Sequence, residues 1–476
     1  MRKYNYAEKT NQGGLMDQHS TRSLTHVLPD FRNQNGYLEF CLDHAAENLG
    51  KYKSISDIQN DLAKINVYPH MNMLEPVRNL SFLEEKNISR QDYIKAWRNI
   101  VEGRVFTEHA AAGEATRLKL STKYLINIPK NQSVKKIADM LSQEKGHHIT
   151  EEMVRKELFC DPADLLPICL GVRHMLQLSY DIIKLATLMG YSPKAVLSKQ
   201  KMLVILNEAT ADIIMDKFIR HQFYGFSYRN VMFMIQKSFH GINMNEKEVF
   251  YDKTSPLRLH NHGHIAISQT LPCQIFYMEP HGGRRFLSDD EFAAILKTTQ
   301  IKISYNIEDL DYLTGAIDDN TLAFAIQKGE QGYDMVMEVL PNNPMAPQKG
   351  GMAAFDPILG KDVMIESFQL DGIKNHQIKF LNKNVNYFPN PYTAWSAVKK
   401  HGLKLHPVVK DGYLYYQPVI GDINFLVKTA IFIRKNASPI KAWKSPATTP
   451  AAINCMRRQD LQKGFKELAG QFIHFQ

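Results

Sequence analysis

Short apolar runs of the kind found in β-strands alternate with helical segments through the middle of this 476-residue chain, and this alternation constrains the fold most. Four of these runs are Met202–Leu206, Val231–Ile235, Ile301–Tyr305 and Ala353–Phe355. Strands that alternate with helices form parallel sheets, because each helix carries the chain back over a face of the sheet. Residues 101–395 are therefore predicted to form an α/β domain with a mostly parallel central sheet.

The two ends of the chain differ from this middle part. Apolar residues recur at helical spacing in Ile55–Ile65 and Tyr93–Val101, which predicts a helical N-terminal domain over residues 1–100. A Pro-containing stretch, Phe388–Tyr392, precedes a smaller C-terminal domain over residues 396–476. We expect that domain to contain a mixed segment and a terminal helix at Arg458–Phe472.

The charge of the chain suits phosphate ligands better than a long polyanion. Lys and Arg number 58 against 49 Asp and Glu, which leaves a formal net charge of +9, but the basic residues are scattered. A triphosphate pocket needs only a few convergent cations, whereas nucleic-acid binding usually requires a basic stripe or arm. We therefore expect phosphate-bearing ligands and no nucleic-acid partner.

The cysteines and the N-terminal residues indicate the cellular compartment in which the protein acts. The five cysteines form no CxxC pair, so they indicate neither a zinc site nor a disulfide framework, and they favour a reducing compartment. The first 14 residues lack the apolar segment of a secretory signal, and no apolar run reaches the roughly 18 residues of a membrane span. These features predict a soluble, cytoplasmic protein with no membrane association. Export into a host cell by another signal stays open.

A small-residue loop lies near the start of the predicted α/β domain. It runs through Ala112 and Gly113 to Thr116 and Arg117, with Lys123 shortly after. Backbone N–H groups in such a loop can approach phosphate oxygens, while the cations neutralise charge on the phosphate. An Ala-rich stretch can equally form an ordinary helix. The loop taken alone leaves both interpretations open.

This loop resembles the signature of nucleoside-diphosphate-sugar pyrophosphorylases, written AAGxGTRxLPATK or AGGxGTRLG in that family. Gly113, Thr116, Arg117 and Lys123 fall on matching positions, whereas two glycines of the family are replaced, one by Ala112 and one by Ala115. The resemblance implies that Ala112, Gly113 and Thr116 bind the nucleotide. It implies catalytic roles for Arg117 and Lys123.

Later segments resemble the eukaryotic-type UDP-sugar pyrophosphorylases in the same order as in that family. The segment at Asn207 and the run ending at Gln236 resemble parts of the nucleotide site, which implies both residues as nucleotide contacts. The turn Leu259–His264 resembles the family's turn against uracil and ribose, with His262 and Gly263 at matching positions. From the residues alone, its three alternating histidines could instead be metal ligands, although no carboxylate or Cys accompanies them.

The segment after the strand at Ile301–Tyr305 resembles the family's SDNLGA motif. A carboxylate at the carboxyl end of such a strand lies at the ligand crevice of an open α/β sheet. The register with the family implies that Asp311 holds Mg2+ between the two substrate phosphates, with Asp309 as the nearest rival.

Four motifs nearer the C-terminus complete the resemblance. Segments like the family's KGG pair, its LLEIAQ segment and its FNTNN run imply sugar contacts, and a segment like SPLKN implies a catalytic phosphate contact. The residues concerned are Gly350, Gly351, Glu366 and Asn384 for the sugar, and Lys441 for the phosphate.

The resemblance as a whole implies a Rossmann-like nucleotidyltransferase domain of the GT-A type. The implied reaction joins UTP and a sugar 1-phosphate into a UDP-sugar and pyrophosphate with Mg2+ as cofactor. Two alternatives stay open: transfer of a nucleotide to another acceptor such as a protein, and nucleotide-sugar binding without turnover. The oligomeric state is not predicted.

Overall fold

The computed structural model describes residues 34–113, 122–245, 248–345, 347–434, 443 and 445–473. Its strands are β1 (Ser81–Leu83), β2 (Val105–Ala110), β3 (Lys201–Asn207), β4 (Val231–Gln236), β5 (Ser238–Phe239), β6 (Ile242–Met244), β7 (Val249–Tyr251), β8 (Arg258–Leu259), β9 (Ile275–Met278), β10 (Arg284–Phe286), β11 (Ile301–Asn306), β12 (Met335–Pro341), β13 (Met352–Asp356), β14 (Lys361–Ile365), β15 (Phe380–Phe388), β16 (Pro407–Lys410), β17 (Tyr413–Tyr416) and β18 (Thr429–Arg434).

The helices are α1 (Gln34–Leu49), α2 (Ile55–Asn66), α3 (Arg90–Val101), α4 (Ile128–Asn131), α5 (Val134–Lys145), α6 (Glu151–Glu157), α7 (Leu170–Leu188), α8 (Pro193–Leu197), α9 (Ala211–Arg220), α10 (Gly263–Ser268), α11 (Asp289–Lys297), α12 (Asp319–Glu330), α13 (Pro391–His401), α14 (Ile423–Leu426), α15 (Thr449–Asp460) and α16 (Phe465–Phe472). The predicted helical segments in residues 1–100 correspond to α2 and α3. No helix in the described ranges has both the length and the apolar character of a membrane span.

The central sheet has the strand order β1-β18-β12-β15-β11-β2-β3-β4-β9-β10, and β13 and β14 join it beside β15. The four strands β11, β2, β3 and β4 are parallel to one another. A second parallel group, β12, β18 and β1, is separated from them by the antiparallel β15. The prediction of a mostly parallel central sheet is therefore confirmed.

Successive side chains of a strand point to opposite faces of the sheet, and in the central sheet both faces are covered by helices. In β3, Met202, Val204 and Leu206 belong to the core shared with α3, α5, α7, α9 and α12. The intervening Leu203 and Ile205 belong to a separate core that includes Phe292 of α11. Since both sets are buried, the strand is a continuous apolar run, as expected for a parallel strand with helices on both sides.

The predicted terminal helix at Arg458–Phe472 is wrong as a single element. The structure has two helices, α15 and α16, separated by a turn in which Gly464 has a φ of 84°. This left-handed conformation cannot continue a helix, and glycine adopts it without steric cost. The chain therefore reverses before α16 packs against α7.

The parts before residue 101 and after residue 395 each add a strand to the central sheet. β1 pairs with β18 in parallel, with Ser81 opposite Phe432, and β18 in turn pairs with β12. The other C-terminal strands, β16 and β17, form a separate four-stranded sheet with β6 and β7. The predicted division into three domains stays a prediction.

Candidate functional site

The order in which strands are added to the central sheet reverses beside β2. It adds β3 and β4 on one side of β2 and later places β11 on the other side. The loops leaving the carboxyl ends of β2 and β11 therefore diverge, and open α/β sheets bind ligands in the crevice between such loops. A cavity of about 540 Å3 occupies this place, with walls from the ends of β2, β4 and β11 and from the C-terminal hairpin β16–β17.

Backbone and side-chain hydrogen bonds hold the first residues of the small-residue loop beside this cavity. The amide of Ala111 donates to the carbonyl of Ile205 at 2.9 Å. Asn207 donates its Nδ2 to the carbonyl of Ala112 at 2.8 Å. Ala112 and Gly113 line the cavity, as a phosphate-binding loop requires, whereas Thr116 and Arg117 lie outside the described residues.

Lys123 lies beside the loop and lines the cavity. Its amide donates to the carbonyl of Gly113 at 3.2 Å, and its Nζ forms an ion pair with Glu308, which follows β11. The side chains of Lys123 and Glu308 are only 17% and 12% exposed, so the pair is screened little by water. The loop and the end of β11 thus present one cation to the cavity, held in place by a carboxylate. The sequence did not identify Glu308 as its partner.

Asn207 ties the loop to the sheet and does not line the cavity. Besides the bond to Ala112, its Oδ1 accepts from the amide and the hydroxyl of Thr210 at 3.0 and 2.8 Å. This geometry is that of a positioning residue. Its predicted direct contact with the nucleotide stays a prediction.

Replacing Asn207 by alanine is expected to destabilise the fold by about 2 kcal/mol, because it leaves buried backbone groups without their partner. Nucleotide binding should weaken as well, since the loop loses its tether. Urea unfolding and UTP titration would measure both effects. The matched control is Asn230→Ala, which removes one exposed side-chain bond to the carbonyl of Ser198 and should change stability by less than about 0.5 kcal/mol. Equal effects of the two substitutions would contradict this role for Asn207.

Gln236 and His262 both line the cavity, and their contacts with a nucleotide stay predictions. Gln236 donates its Nε2 to the carbonyl of Asn261 at 2.8 Å, which joins the end of β4 to the turn before α10. His262 accepts the amide proton of Ile420 at its Nδ1, at 3.1 Å. An imidazole that accepts at Nδ1 carries its proton on Nε2, so the tautomer of His262 is fixed by the protein.

Gly263 serves packing and does not line the cavity. Its amide donates to the carbonyl of Pro418 at 3.0 Å. A Cβ atom added there would lie 2.2 Å from the carbonyl carbon of Pro418 and 2.3 Å from the nitrogen of Val419. The glycine thus allows α10 to approach the backbone of the 418–420 turn, which supplies Ile420 to the cavity wall.

The other two histidines of the turn are buried against α1 and do not converge with His262. His260 bonds to the Tyr37 hydroxyl at 3.1 Å, and the His264 ring lies 4.8 Å from the Tyr37 ring. No group of three or more potential metal-ligating side chains occurs among the described residues. His260 and His264 therefore form part of a core, whereas His262 lines the cavity, so the three side chains are not placed to share one metal ion.

Burial of His264 predicts a loss of stability in acid. Burial lowers its pKa from 6.5 to about 3, so the folded protein keeps it neutral while the unfolded chain takes up a proton below pH 6.5. The free energy of unfolding should fall by about 1.4 kcal/mol per pH unit for this residue between those values. His264→Gln should reduce the slope of stability against pH in urea unfolding. His281→Gln, at an exposed position, should leave it unchanged. Equal slopes for both variants would contradict the assignment.

Asp311 does not line the cavity and is paired with cations. Its carboxylate lies 3.5 Å from Nζ of Lys383 and 3.9 Å from a guanidinium nitrogen of Arg434, and both cations also bond to the fully buried Glu338. Asp318 also pairs with Arg434, so the carboxylate of Asp311 is one member of an ion-pair cluster inside the protein. Asp309, the alternative candidate for the metal, accepts a hydrogen bond at its Oδ2 from the amide of Asn306 at 3.4 Å. Binding of Mg2+ at Asp311 stays a prediction.

The predicted sugar contacts lie close together. Gly351 accepts the amide of Asn382 at 2.9 Å, and the Asn382 side chain donates to Oε1 of Glu366 at 3.3 Å. A Cβ on Gly421 would lie 3.3 Å from the same Glu366 oxygen, and Gly421 directly follows the cavity residue Ile420. Gly350 packs on Leu381. Glu366 therefore lies beside the sequence neighbour of a cavity residue, and neither Gly351 nor Glu366 lines the cavity. The side chain of Asn384, and Lys441 as a whole, lie outside the described residues.

Two groups of cavity residues were missed in the sequence. Glu108 of β2 is 1% exposed at the cavity floor and bonds to Lys302, Ser304 and Gln269. An acidic residue in an otherwise buried strand is a signal that could have identified it. Arg258 and Lys410 line another wall. They are 152 positions apart, so spacing gives no signal for their proximity.

Comparison with solved structures identifies proteins with a similar fold. The uridine diphosphate N-acetylglucosamine pyrophosphorylase of Trypanosoma brucei, solved with an inhibitor, aligns over 84% of this chain and 75% of its own with a TM-score of 0.55 and 14% identity. An Entamoeba histolytica protein assigned as a UDP-N-acetylglucosamine pyrophosphorylase aligns over 79% of this chain and 86% of its own, with a TM-score of 0.50 and 12% identity. No protein-family model and no curated protein matches the sequence. The chain has the fold of the UDP-sugar pyrophosphorylases, and the predicted resemblance is confirmed at the level of the fold.

Proposed function

We propose that this protein is a uridylyltransferase that forms a UDP-sugar and pyrophosphate from UTP and a sugar 1-phosphate. The observation that carries the proposal is the loop Ala112–Gly113 with Lys123 at the mouth of the cavity, at the point where strand order reverses. In the proposed enzyme the surrounding domain is a Rossmann-like nucleotidyltransferase domain of the GT-A type. The similarity in fold to UDP-N-acetylglucosamine pyrophosphorylases supports the same assignment.

The proposed reaction needs positioning and charge stabilisation more than acid–base chemistry. An oxygen of the sugar phosphate attacks the α-phosphorus of UTP, the bond to the β-phosphate breaks, and pyrophosphate leaves with the bonding electrons. The attacking oxygen is already anionic, so no general base is required. Lys123 would neutralise charge on the phosphates, and the backbone of Ala112 and Gly113 would let them approach closely. Arg117 and Lys441 are proposed to add further positive charge.

The walls of the cavity suit a nucleotide joined to a sugar. Polar groups of Gln236 and His262 stand beside apolar Ile265 and Ile420, and such a mixture orients a ligand while covering its apolar faces. The neighbouring Gly351 and Glu366 are proposed to reach the sugar hydroxyls. All five cysteines are free thiols, which supports a protein that acts in the reducing cytoplasm.

The function is tested by incubating the protein with Mg2+-UTP and a panel of sugar 1-phosphates and measuring pyrophosphate. We expect release of pyrophosphate that requires both substrates and is strongest with one sugar phosphate. Replacing UTP by ATP, CTP or GTP tests whether the reaction is specific for the uracil base. Absence of pyrophosphate across the whole panel would contradict the proposal.

A further inference from the structure

A pair of cations stands in the cavity away from the small-residue loop. Arg258 belongs to β8 and Lys410 ends β16, and both line the cavity that Gly113 and Lys123 also line. These two cations come from the small sheets that flank the central one. The cavity thus has one positive group beside the loop after β2 and two more on the strands β8 and β16.

The charges of this pair are incompletely satisfied within the protein. Arg258 forms an ion pair with Asp411, but its Nε is buried and has no hydrogen-bond partner among the described residues. Lys410 forms no ion pair within the described parts of the chain. Partial burial and the positive charge of Arg258 lower the pKa of Lys410, while the carboxylate of Asp411 opposes this shift, so the two cations and Asp411 are neighbours at this wall of the cavity. Two cations therefore face a single carboxylate in this part of the described structure, and a phosphate held by both would add favourable charge–charge interactions.

Two further polar atoms of the cavity have no partner in the described structure. The hydroxyl of Tyr416 and Oδ1 of Asn386 are both buried, and their residues are 1% and 2% exposed. Buried polar atoms without partners are unfavourable in a folded protein, and ligands commonly satisfy them in binding sites. The cavity thus combines two cations with two polar groups that have no partner among the described residues, a set of contacts that suits a phosphorylated sugar or nucleotide.

We infer that Arg258 and Lys410 form a second phosphate-binding subsite, separate from the loop at Gly113 and Lys123. The subsite takes a phosphate group carried either by the nucleotide or by the sugar 1-phosphate. This assignment rests on the proposed function for the identity of the ligand, whereas the affinity for phosphate compounds can be tested without any turnover.

The test is calorimetric titration of the full chain with three probes: inorganic pyrophosphate, UTP and glucose 1-phosphate. Arg258→Gln and Lys410→Gln are each expected to weaken binding of at least one probe about tenfold or more, because each removes a charge-assisted hydrogen bond. Loss restricted to pyrophosphate and UTP assigns the subsite to the nucleotide side. Loss restricted to glucose 1-phosphate assigns it to the sugar phosphate.

Lys400→Gln is the matched control, because Lys400 is exposed on α13 and does not line the cavity. Asp411→Asn supplies a test of opposite sign. It removes the carboxylate that competes for Arg258, and asparagine tolerates the φ of 53° at this position. This variant should bind the probes at least as tightly as the wild type. Thermal unfolding would verify that each variant is folded.

Several results would overturn the subsite. These are wild-type affinities in both Gln variants, weakening in Asp411→Asn equal to that in Lys410→Gln, or failure of the wild type to bind any of the probes. A wild type that binds the probes through Arg258 and Lys410 but releases no pyrophosphate would refute the proposed function alone. An active enzyme whose kinetics and probe binding are unchanged in both variants would refute the subsite alone.

Discussion

Replacement of Lys123 by alanine is expected to slow pyrophosphate formation on the order of a hundredfold, with a smaller effect on overall stability. Lys123 is the described cation that lies nearest in sequence to the small-residue loop, and it lines the same cavity as Gly113. A group that stabilises charge as the α-phosphate is attacked contributes mainly to the rate of the step. Steady-state measurement of pyrophosphate at saturating UTP would determine the effect.

The interpretation of this variant requires two controls, because Lys123 is also the partner of Glu308. Lys130→Ala removes an exposed lysine close by and should leave the rate unchanged. The double variant Lys123→Ala/Glu308→Gln removes the carboxylate that the single change leaves unpaired. If the double variant regained most of the activity, the loss would come from the unpaired Glu308, and the role of Lys123 in the reaction would be refuted.

Replacement of Gly263 by alanine is expected to lower the free energy of unfolding by about 3 kcal/mol. The added Cβ would lie 2.2–2.4 Å from backbone atoms of Pro418 and Val419, and backbone cannot move aside as a flexible side chain can. The forced separation would also displace Ile420 and its bond to His262, so UTP binding should weaken. Urea unfolding and UTP titration would measure the two consequences.

Gly315→Ala is the matched control for that substitution. A Cβ at Gly315 would meet no atom within 4 Å, and Gly315 is not among the glycines with positive φ. It should therefore be close to neutral in stability and binding. If Gly263→Ala were as stable as Gly315→Ala, the close approach of α10 to the 418–420 turn would be contradicted.

The elements best predicted from sequence are those whose apolar pattern results from burial. β3, β4 and β11 occupy the predicted runs, because a parallel strand covered on both faces must be apolar throughout. The resemblance of the loop to a phosphate-binding signature predicted a shared site for Gly113 and Lys123, and both line the cavity at the carboxyl end of β2. Local sequence and general topology suffice for these features.

The features that were missed depend on contacts between distant segments. His260, His262 and His264 look equivalent in the sequence, yet only His262 lines the cavity, because the other two pack with Tyr37 of α1. Pairing of Asp311 with Lys383 and Arg434 likewise arises only when β15 and β18 are assembled beside β12. Such contacts are set by tertiary packing, and no periodicity along the chain reports them.

The central claim is that the cavity transfers the uridylyl group of UTP to a sugar 1-phosphate. The most direct measurement uses UTP labelled at the α-phosphate, a sugar 1-phosphate and the protein, followed by chromatographic identification of every labelled product. The account predicts label in a UDP-sugar, formed only when the sugar phosphate is present and formed about a hundredfold more slowly by Lys123→Ala. Label that remained entirely in UTP, or that appeared on the protein or another macromolecule, would contradict it.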